Sequence, residues 1–293
     1  MKPASFEYYD PPTAMEAVAL LGGLGEDARV LAGGQSLVPL MNFRLARPAH
    51  LVDLNHVTEL DFVSVAGGEL HIGAMTRQRT LERSEEAAAG WPLLREAAGF
   101  IGHVQIRNRG TVGGSLAHAF PSAELPVAMV TLDAGVVLQG EGGERTVAAE
   151  DFFLGTMTTA LEPGELLREV RVPAVAAGSG ASFQEVSRRY GDFALAGAAA
   201  LVTLDRDGAV SGARLTLTGS APIRARDAEA AVLGEKPSDA LFREAARRAV
   251  EGIDQESDMH ASADYRRRTC AALARRALAQ AARQAAAATG SGQ

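Results

Sequence analysis

The stretch "VLAGGQSLVP", Val30–Pro39, carries a short apolar run into two consecutive glycines, through a polar pair and into a second apolar run. Glycine pairs cost backbone entropy, so Gly33 and Gly34 answer either to a tight turn or to a ligand that touches the main chain. A second stretch, "TVGGS", Thr111–Ser115, repeats the form of "AGGQS", Ala32–Ser36: a small or apolar approach, two glycines and a closing serine. Successive residues that alternate between right- and left-handed conformations turn their N–H groups inward and make an anion-binding nest. Ser36 and Ser115 add hydroxyl donors. Two nests facing each other would suit a pyrophosphate without lysine or arginine. Two ordinary turns would use the same residues, and these residues alone leave both readings open.

Outward from the first pair lies a small β/α unit. In "PTAMEAVALLGG", Thr13 is placed as N-cap with Glu16 as its capping-box partner, and Gly22–Gly23 as the stop. "ARVLAGG" and "HLVDL" (50–54) read as short strands. Helix before strand is the wrong order for a dinucleotide fingerprint, so "GLGEDA" (Gly23, Gly25, Ala28) is rejected as one.

The middle of the chain mixes both periods. "FVSVAGGELHIGAM" reads as a hairpin turning at Gly67–Gly68, and "GVVLQGEGGERTVAAEDF" as another. "TRQRTLERSEE", "WPLLREAAGFIG" and "AELPVAMVTLDA" read as helices, the last with Pro126 in its first turn. "ELLREVRVP" reads as a strand stopped by Pro173. "AVAAGSGAS" (174–182) is the expected linker. Beyond it, "FALAGAAALVTL" and "VSGARLTLTGS" flank a turn at Asp207–Gly208. Two helices capped by Ser238 and Ser262 follow, and the tail "AAAATGSGQ" is expected to fray. The expected units are 1–55, 56–177 and 178–285, with a flexible tail at 286–293; the third is an antiparallel sheet with a helical layer.

Composition narrows the function. The 293 residues are 47% hydrophobic and 22% charged, with formal net charge −7. That is a normal globular mix, and the acidic balance argues against nucleic-acid binding. One cysteine, Cys270, leaves no disulfide and no cysteine-held metal or iron–sulfur site within this chain. No run has the length of a membrane span or the form of a signal peptide, so a cytoplasmic location is expected. The six histidines show no metal-ligand spacing. His118 follows Ser115 by three residues without an orienting third group, which leaves a hydrolase triad unsupported. His71 is expected on the solvent face of its hairpin. Arg266–Arg268 with Arg275–Arg276 are expected to form a solvated helix face.

Three blocks carry a resemblance: "VLAGGQSLVPLMNFRLARPAHLVDLN", "IGHVQIRNRGTVGGSLAHAFPSAELP" and "SRRYGDFALAGAAA". Together they resemble the flavin-binding medium subunit of molybdenum hydroxylases, the carbon monoxide dehydrogenase and xanthine dehydrogenase type. The likeness extends over almost the whole chain, from "FEYYDPPTAMEAVALL" to the C-terminal helices.

The resemblance implies an α+β fold of the p-cresol methylhydroxylase/vanillyl-alcohol oxidase type: two α/β subdomains holding FAD, plus a C-terminal domain of sheet and helices. It implies that Ala32, Gly33, Gly34, Gln35, Ser36 and Leu37, with Thr111, Val112, Gly113, Gly114 and Ser115, bind the FAD pyrophosphate. Ile101 would lie along the cofactor, and Glu124 stands where the xanthine dehydrogenase segment has aspartate. Leu166 and Gln184 would lie near the flavin, and Phe193 is where carbon monoxide dehydrogenase-like subunits place an aromatic. Carbon monoxide dehydrogenases proper usually read Ala-Gly-Gly-His-Ser in the first loop. Gln35 departs from that, as it often does in relatives that hydroxylate N-heterocycles or aldehydes.

The implied role is an electron relay with no catalytic side chain. A large partner would carry a molybdopterin-type molybdenum cofactor and a small one two [2Fe–2S] clusters, in a dimer of heterotrimers. The alternatives are a stand-alone flavin oxidase or reductase of the same fold, a scaffold without FAD, and a nicotinamide dehydrogenase; the fingerprint context argues against the last.

Overall fold

The structure is a computed structural model and describes residues 1–290. Its first part comprises β1 (Glu7–Tyr9), α1 (Ala14–Leu24), β2 (Ala28–Leu31), α2 (Leu37–Asn42) and β3 (His50–Asp53). The three strands form a parallel sheet in the order β1-β3-β2. Ala14, Ala17, Val18 and Leu21 of α1 pack over it with Val52, Leu54, Val57 and Leu60. Thr13 Oγ1 accepts the Glu16 N–H at 3.2 Å, as the capping box requires. The helix does not stop at Gly22–Gly23. It runs to Leu24, where Gly25 at φ 64° sends its N–H back to Leu21 O. Helical glycine costs only about 1 kcal/mol, and it is the left-handed exit that ends a helix.

The second part is built on a five-stranded antiparallel sheet, order β4-β5-β10-β6-β7. Its strands are β4 (Val63–Ala66), β5 (Glu69–Gly73), β6 (Gly135–Gly140), β7 (Gly143–Ala148) and β10 (Leu166–Val172). Gly67 and Gly68 both have positive φ, the requirement of the two-residue turn expected there. Between β5 and β6 lie α3 (Gln78–Arg83), α4 (Glu85–Gly90), α5 (Pro92–Phe100), α6 (Val104–Arg107), α7 (Val112–His118) and α8 (Glu124–Thr131). The helix expected over "TRQRTLERSEE" is two helices, because Ser84 leaves helical geometry to cap α4 through Ala87 N. A short α9 (Ala149–Phe152) and a ribbon of β8 (Phe153–Gly155) and β9 (Thr158–Thr159) precede β10. His71 is not on a free face: its Nδ1 lies 3.4 Å from Glu169 Oε2 on the neighbouring strand.

The C-terminal part has β11 (Ser179–Ser187), β12 (Ala194–Leu204), β13 (Val210–Leu217) and β14 (Ile223–Arg224) in sequential antiparallel order. Across its helical side lie α10 (Arg226–Val232), α11 (Asp239–Ala249) and α12 (Ala263–Gly290). The linker is shorter than expected, because Ser179–Ser182 already pair with Ala200–Thr203. Residues 286–290 are helical rather than frayed. Alanine favours helix, and Ala281, Ala282 and Ala285 are buried on the sheet just before them. Residues 291–293 of the expected tail lie outside the described residues. Arg266 is not solvated: it donates to Leu195 O at 2.8 Å and pairs with Asp258 at 2.6 Å.

Strand alternation splits the C-terminal sheet between two cores. Ala196, Ala198, Ala200 and Val202 face α12, while Ala199 and Leu201, with Ala181 and Phe183, join the core of the second part. The C-terminal sheet is thereby fixed against α5 and α8 by buried apolar surface. No described helix is long and apolar enough to cross a membrane.

Candidate functional site: a cleft between two glycine pairs

The two glycine loops meet. A Cβ on Gly33 would lie 2.4 Å from Arg109 O and 2.7 Å from the Cα of Gly110, closer than real Cβ atoms come to backbone. A Cβ on Gly114 would stand 3.6 Å from the Ala32 Cβ. The first loop therefore rests on the chain that leads into the second. Two side chains fix this contact. Asn55, just after β3, donates from Nδ2 to Ala32 O at 3.0 Å and accepts from Arg77 Nη2 at 2.7 Å. Arg77 also donates from Nη1 to Arg109 O at 2.6 Å. Tyr8 donates to Asp53, whose other oxygen accepts the Asn55 N–H at 2.9 Å. That bond, more than burial, pushes the Tyr8 phenol up to about 12.

The two loops are not equivalent. Among the described residues, no protein acceptor takes the backbone N–H of Gly33, Gly34, Gln35 or Ser36. Gly34 sits at φ 72°, the left-handed conformation that lets consecutive N–H groups converge. Gln35 Nε2 donates to Gly33 O at 3.1 Å and braces the loop from within. The second pair is not a nest. Gly113 and Gly114 form the first turn of α7, capped by Thr111 Oγ1 accepting from Gly114 N at 3.0 Å. Val112, Gly113 and Ser115 donate to Thr76 O, Ala74 O and Thr111 O. Glycine is needed there for packing, since a Cβ on Gly113 would lie 2.6 Å from that of Ala74. The donors open to a ligand are thus the first loop's N–H row and the hydroxyls of Ser36 and Ser115, since Thr111 is buried beneath its cap.

From the glycine pair, α7 runs about 10 Å at 1.5 Å per residue to a turn carrying His118, Phe120 and then Glu124. The His118 ring stacks near Phe120 at 6.1 Å between centroids. Phe193, from the loop between β11 and β12, covers Phe120 at 4.5 Å and is 66% exposed. Burial lowers the His118 pKa and favours its neutral form. Glu124, 7% exposed at the start of α8, is raised to about 7 by burial, against its own backbone N–H and the Arg107 charge. Glu185 on β11 is raised to about 8, chiefly by burial and further by Glu124. Arg107 is spent on other partners: Glu82, Ile101 O at 2.8 Å and Gly102 O at 3.1 Å.

The residues expected at the site separate accordingly. Ala32–Leu37 and Thr111–Ser115 come together; Glu124 and Phe193 lie beyond the far end of α7. Ile101 is buried in the main core at the end of α5. Leu166 is not in that core. It packs with Val18, Leu60 and Met75 under α1, while the next residue, Leu167, joins Ile101. Gln184 pairs with Ala198 on the α12 side of the sheet and donates to Ser182 Oγ. Glu185, one residue on, takes the opposite side, toward Glu124. The period of two puts neighbours on opposite faces. Asn55, Arg77, Arg107 and Glu185 were not singled out from sequence. For Asn55 a signal existed, since a polar residue just past the C-terminal end of a parallel strand lies at the edge where such sheets bind ligands.

Comparison with known proteins assigns the chain to a family. Residues 4–175 match the FAD binding domain in molybdopterin dehydrogenase, and residues 181–281 the CO dehydrogenase flavoprotein C-terminal domain. The chain belongs to this family of FAD-binding dehydrogenase subunits. Among curated relatives it is 45% identical over 283 residues to the 6-hydroxypseudooxynicotine dehydrogenase complex subunit alpha of Paenarthrobacter nicotinovorans, covering 96% of each chain. It is 42% identical over 281 residues to the carbon monoxide dehydrogenase medium chain of Hydrogenophaga pseudoflava, covering 95% of this chain and 97% of that one. The solved carbon monoxide dehydrogenase of H. pseudoflava superposes with TM-score 0.93 at 43% identity, over 96% of this chain and 98% of that one. Quinoline 2-oxidoreductase of Pseudomonas putida 86 superposes with TM-score 0.92 at 38% identity, over 97% and 99%.

The fold is thus the expected α+β flavoprotein fold, the cofactor is FAD, and the chain is an oxidoreductase component.

Proposed function

We propose that this chain is the flavin-carrying electron-transfer subunit of a molybdenum hydroxylase, with the FAD pyrophosphate in the Gly33–Ser36 loop and the ring end at the turn of His118, Phe120 and Glu124. The observation that carries this reading is the row of N–H groups over Gly33–Ser36 that meet no protein acceptor among the described residues, beside the packing of Gly33 on Arg109 and Gly110. Backbone donors of that kind suit a phosphate oxygen and cost no reorganisation.

Bound FAD would supply the redox chemistry of electron transfer between a partner and a final acceptor. This chain's residues bind and orient it. Ser36 and Ser115 lend hydroxyl donors, Thr111 caps the helix that carries the second pair, Asn55 and Arg77 hold the two loops in register, and Phe193 and Phe120 flank the far end. No side chain of the cleft has to exchange a proton with the hydroxylated substrate, which suits a relay better than a stand-alone oxidase.

The electron source would be [2Fe–2S] clusters on a small partner, which receive electrons from a large partner carrying the molybdenum cofactor, in a dimer of heterotrimers. A single buried cysteine, Cys270, and the absence among described residues of any metal-binding group of His, Cys, Asp and Glu are in keeping with that division. Gln35 acts here as a brace of the phosphate loop, and the substrate is chosen on the large partner.

Co-expression with the large and small subunits tests the proposal. The expected outcome is a three-component complex in which reduced iron–sulfur protein bleaches the flavin of this chain. A monomeric yellow protein that oxidises an organic substrate unaided would overturn it.

A further inference from the structure

We infer that Gln78 is a positioning residue for the FAD pyrophosphate: its buried side-chain amide, set against Gly110, fixes the surface on which Gly33 leans and so aims the N–H row of Gly33–Ser36. The inference deepens the flavin reading above and rests on it.

Gly110 is held from three directions. A side chain there would point into the Gln78 amide, 2.9 Å from its Cδ, and would lie 3.1 Å from Ile106 O. The Gly110 N–H donates to that same carbonyl at 2.7 Å. A Cβ on Gly33 would come within 2.7 Å of the Gly110 Cα, so the first loop rests on this atom. Gln78, Gly110 and Gly33 thus follow one another in contact, and neither glycine has room for a methyl.

The supporting member of this stack is anchored. Gln78 N donates to Gly110 O at 2.9 Å, Arg77 pairs with Thr111 in an antiparallel bridge, and Val112 N donates to Thr76 O at 2.9 Å. Residues 76–78 and 110–112 are therefore laced as a short ladder. Gln78 opens α3, and Leu81, one turn on, is fully buried in the main core. Glu82 of α3 receives Arg107 of α6 at 2.8 Å. The helix that carries the amide is fixed both to the core and to the segment that leads into Gly110.

The chemistry of the side chain argues for placement over packing alone. Gln78 is 6% exposed, and its Oε1 is buried without a hydrogen-bond partner among the described residues. A buried polar oxygen without a donor costs stability, and an apolar side chain of like length would avoid that cost. What the amide offers instead is a thin, flat end whose oxygen can meet a Cα–H closely. Glycine at 110 and at 33 supplies the matching absence of side chains. The result is a fixed height for Gly33, and consecutive N–H groups converge on a phosphate only from a backbone held in place.

Equilibrium binding of FAD and of riboflavin to the full, flavin-free chain tests this. Riboflavin carries the same ring system without the pyrophosphate and adenosine, so the ratio of the two affinities reads the phosphate end. Gln78→Ala should lower that ratio about tenfold while leaving riboflavin binding unchanged. Gln78→Asn, which draws the amide back by one methylene, should lose most of the preference as well. Gly110→Ala pushes a methyl into the Gln78 amide and should also lower the ratio. Gln78→Ala/Gly110→Ala places that methyl in the space the amide leaves and should recover part of it, a coupling that two independent losses would not show.

Circular dichroism checks the folding of each variant, and the two Gln78 variants decide alone if Gly110→Ala does not fold. A preference for FAD that survives in Gln78→Ala or Gln78→Asn, or losses that add in the double variant, overturns the inference and leaves the phosphate site in place. Wild type without any preference for FAD over riboflavin overturns the phosphate reading itself.

Discussion

Asn55 accepts a hydrogen bond from Arg77 at 2.7 Å while its own amide donates to Ala32 O at 3.0 Å. One side-chain amide thus joins the loop after β2 to the residue that grips the chain before α7. Arg77 does not rest in bulk water. Burial and the nearby Arg109 charge lower its pKa, and Asp61 and Asp53 oppose them, so the guanidinium is held by a balanced set of charges. The cleft is a mechanical consequence of this bridge: Gly33 can lean on Arg109 and Gly110 only while both loops keep their register.

Removing the bridge should loosen FAD before it unfolds the protein. Asn55→Ala deletes the donor to Ala32 O and strands the second Arg77 N–H. A lost hydrogen bond with a buried partner left unpaired costs about 1–3 kcal/mol. The expected result is an FAD dissociation constant raised by about tenfold to a hundredfold, read by flavin titration. An unchanged constant would show that the loops hold each other without Asn55.

Gly33 and Gly34 should fail for different reasons. A methyl at position 33 enters the Arg109 backbone at 2.4 Å, which cannot yield as a flexible side chain would. A methyl at position 34 meets Val38 at 3.2 Å and is strained by φ 72°, at a cost of about 1–2 kcal/mol. In urea unfolding, Gly33→Ala should lose more stability than Gly34→Ala, and more than one backbone strain can explain. Equal losses would mean that the close approach at Gly33 relaxes freely.

Most elements were legible because their signals are local. Thr13 and Glu16 state a cap, Gly67–Gly68 a hairpin and Pro173 a strand end, each within a few residues. What stayed hidden depends on partners far along the chain. Gly113 and Gly114 look like a second nest, yet they are a helix turn, since Thr76 and Ala74 take the N–H groups that a nest would offer. Gln184 and Glu185 are adjacent letters on opposite faces, and only the pairing with Ala198 and Gly197 decides which one looks toward Glu124. Arg266 reads as one of a solvated run until Leu195 and Asp258 are seen to receive it. The resemblance pointed to both loops and could not say which of them keeps its donors free.

The flavin should leave with acid. A covalent link needs a nucleophile at the ring end, and Cys270 is wholly buried in the C-terminal core with its thiol pushed up to about 11 by burial. His118 is the nearest candidate at the turn. Trichloroacetic acid precipitation of the FAD-loaded chain should leave all yellow colour in the supernatant. Colour in the pellet that vanishes in His118→Ala would instead assign a bond to that imidazole.

Arg107 should be the costliest single loss near the cleft, and its pH dependence has a definite sign. It is 2% exposed and gathers Glu82, Ile101 O and Gly102 O, tying α3 to the end of α5. Burial pushes the Glu82 carboxyl up, but the bonds from Arg107 and Arg79 outweigh it and hold the carboxyl below its usual 4.5. Arg107→Met leaves Glu82 without its main partner and two carbonyls without donors. Breaking a buried pair costs about 3–5 kcal/mol, and the partial exposure of Glu82 argues for about 3. Because the folded carboxyl is depressed, the pair contributes fully above the unfolded value and is lost as pH falls through the folded one. The stability gap between wild type and Arg107→Met, measured in urea at a series of pH values, should therefore be widest near neutrality. It should narrow below about pH 4. The double variant Glu82→Gln/Arg107→Met should recover part of the loss, since the largely buried carboxylate is then gone and only the more exposed Arg79 loses a partner. A gap that is constant with pH would mean that the carbonyl contacts, and not Glu82, are what Arg107 holds.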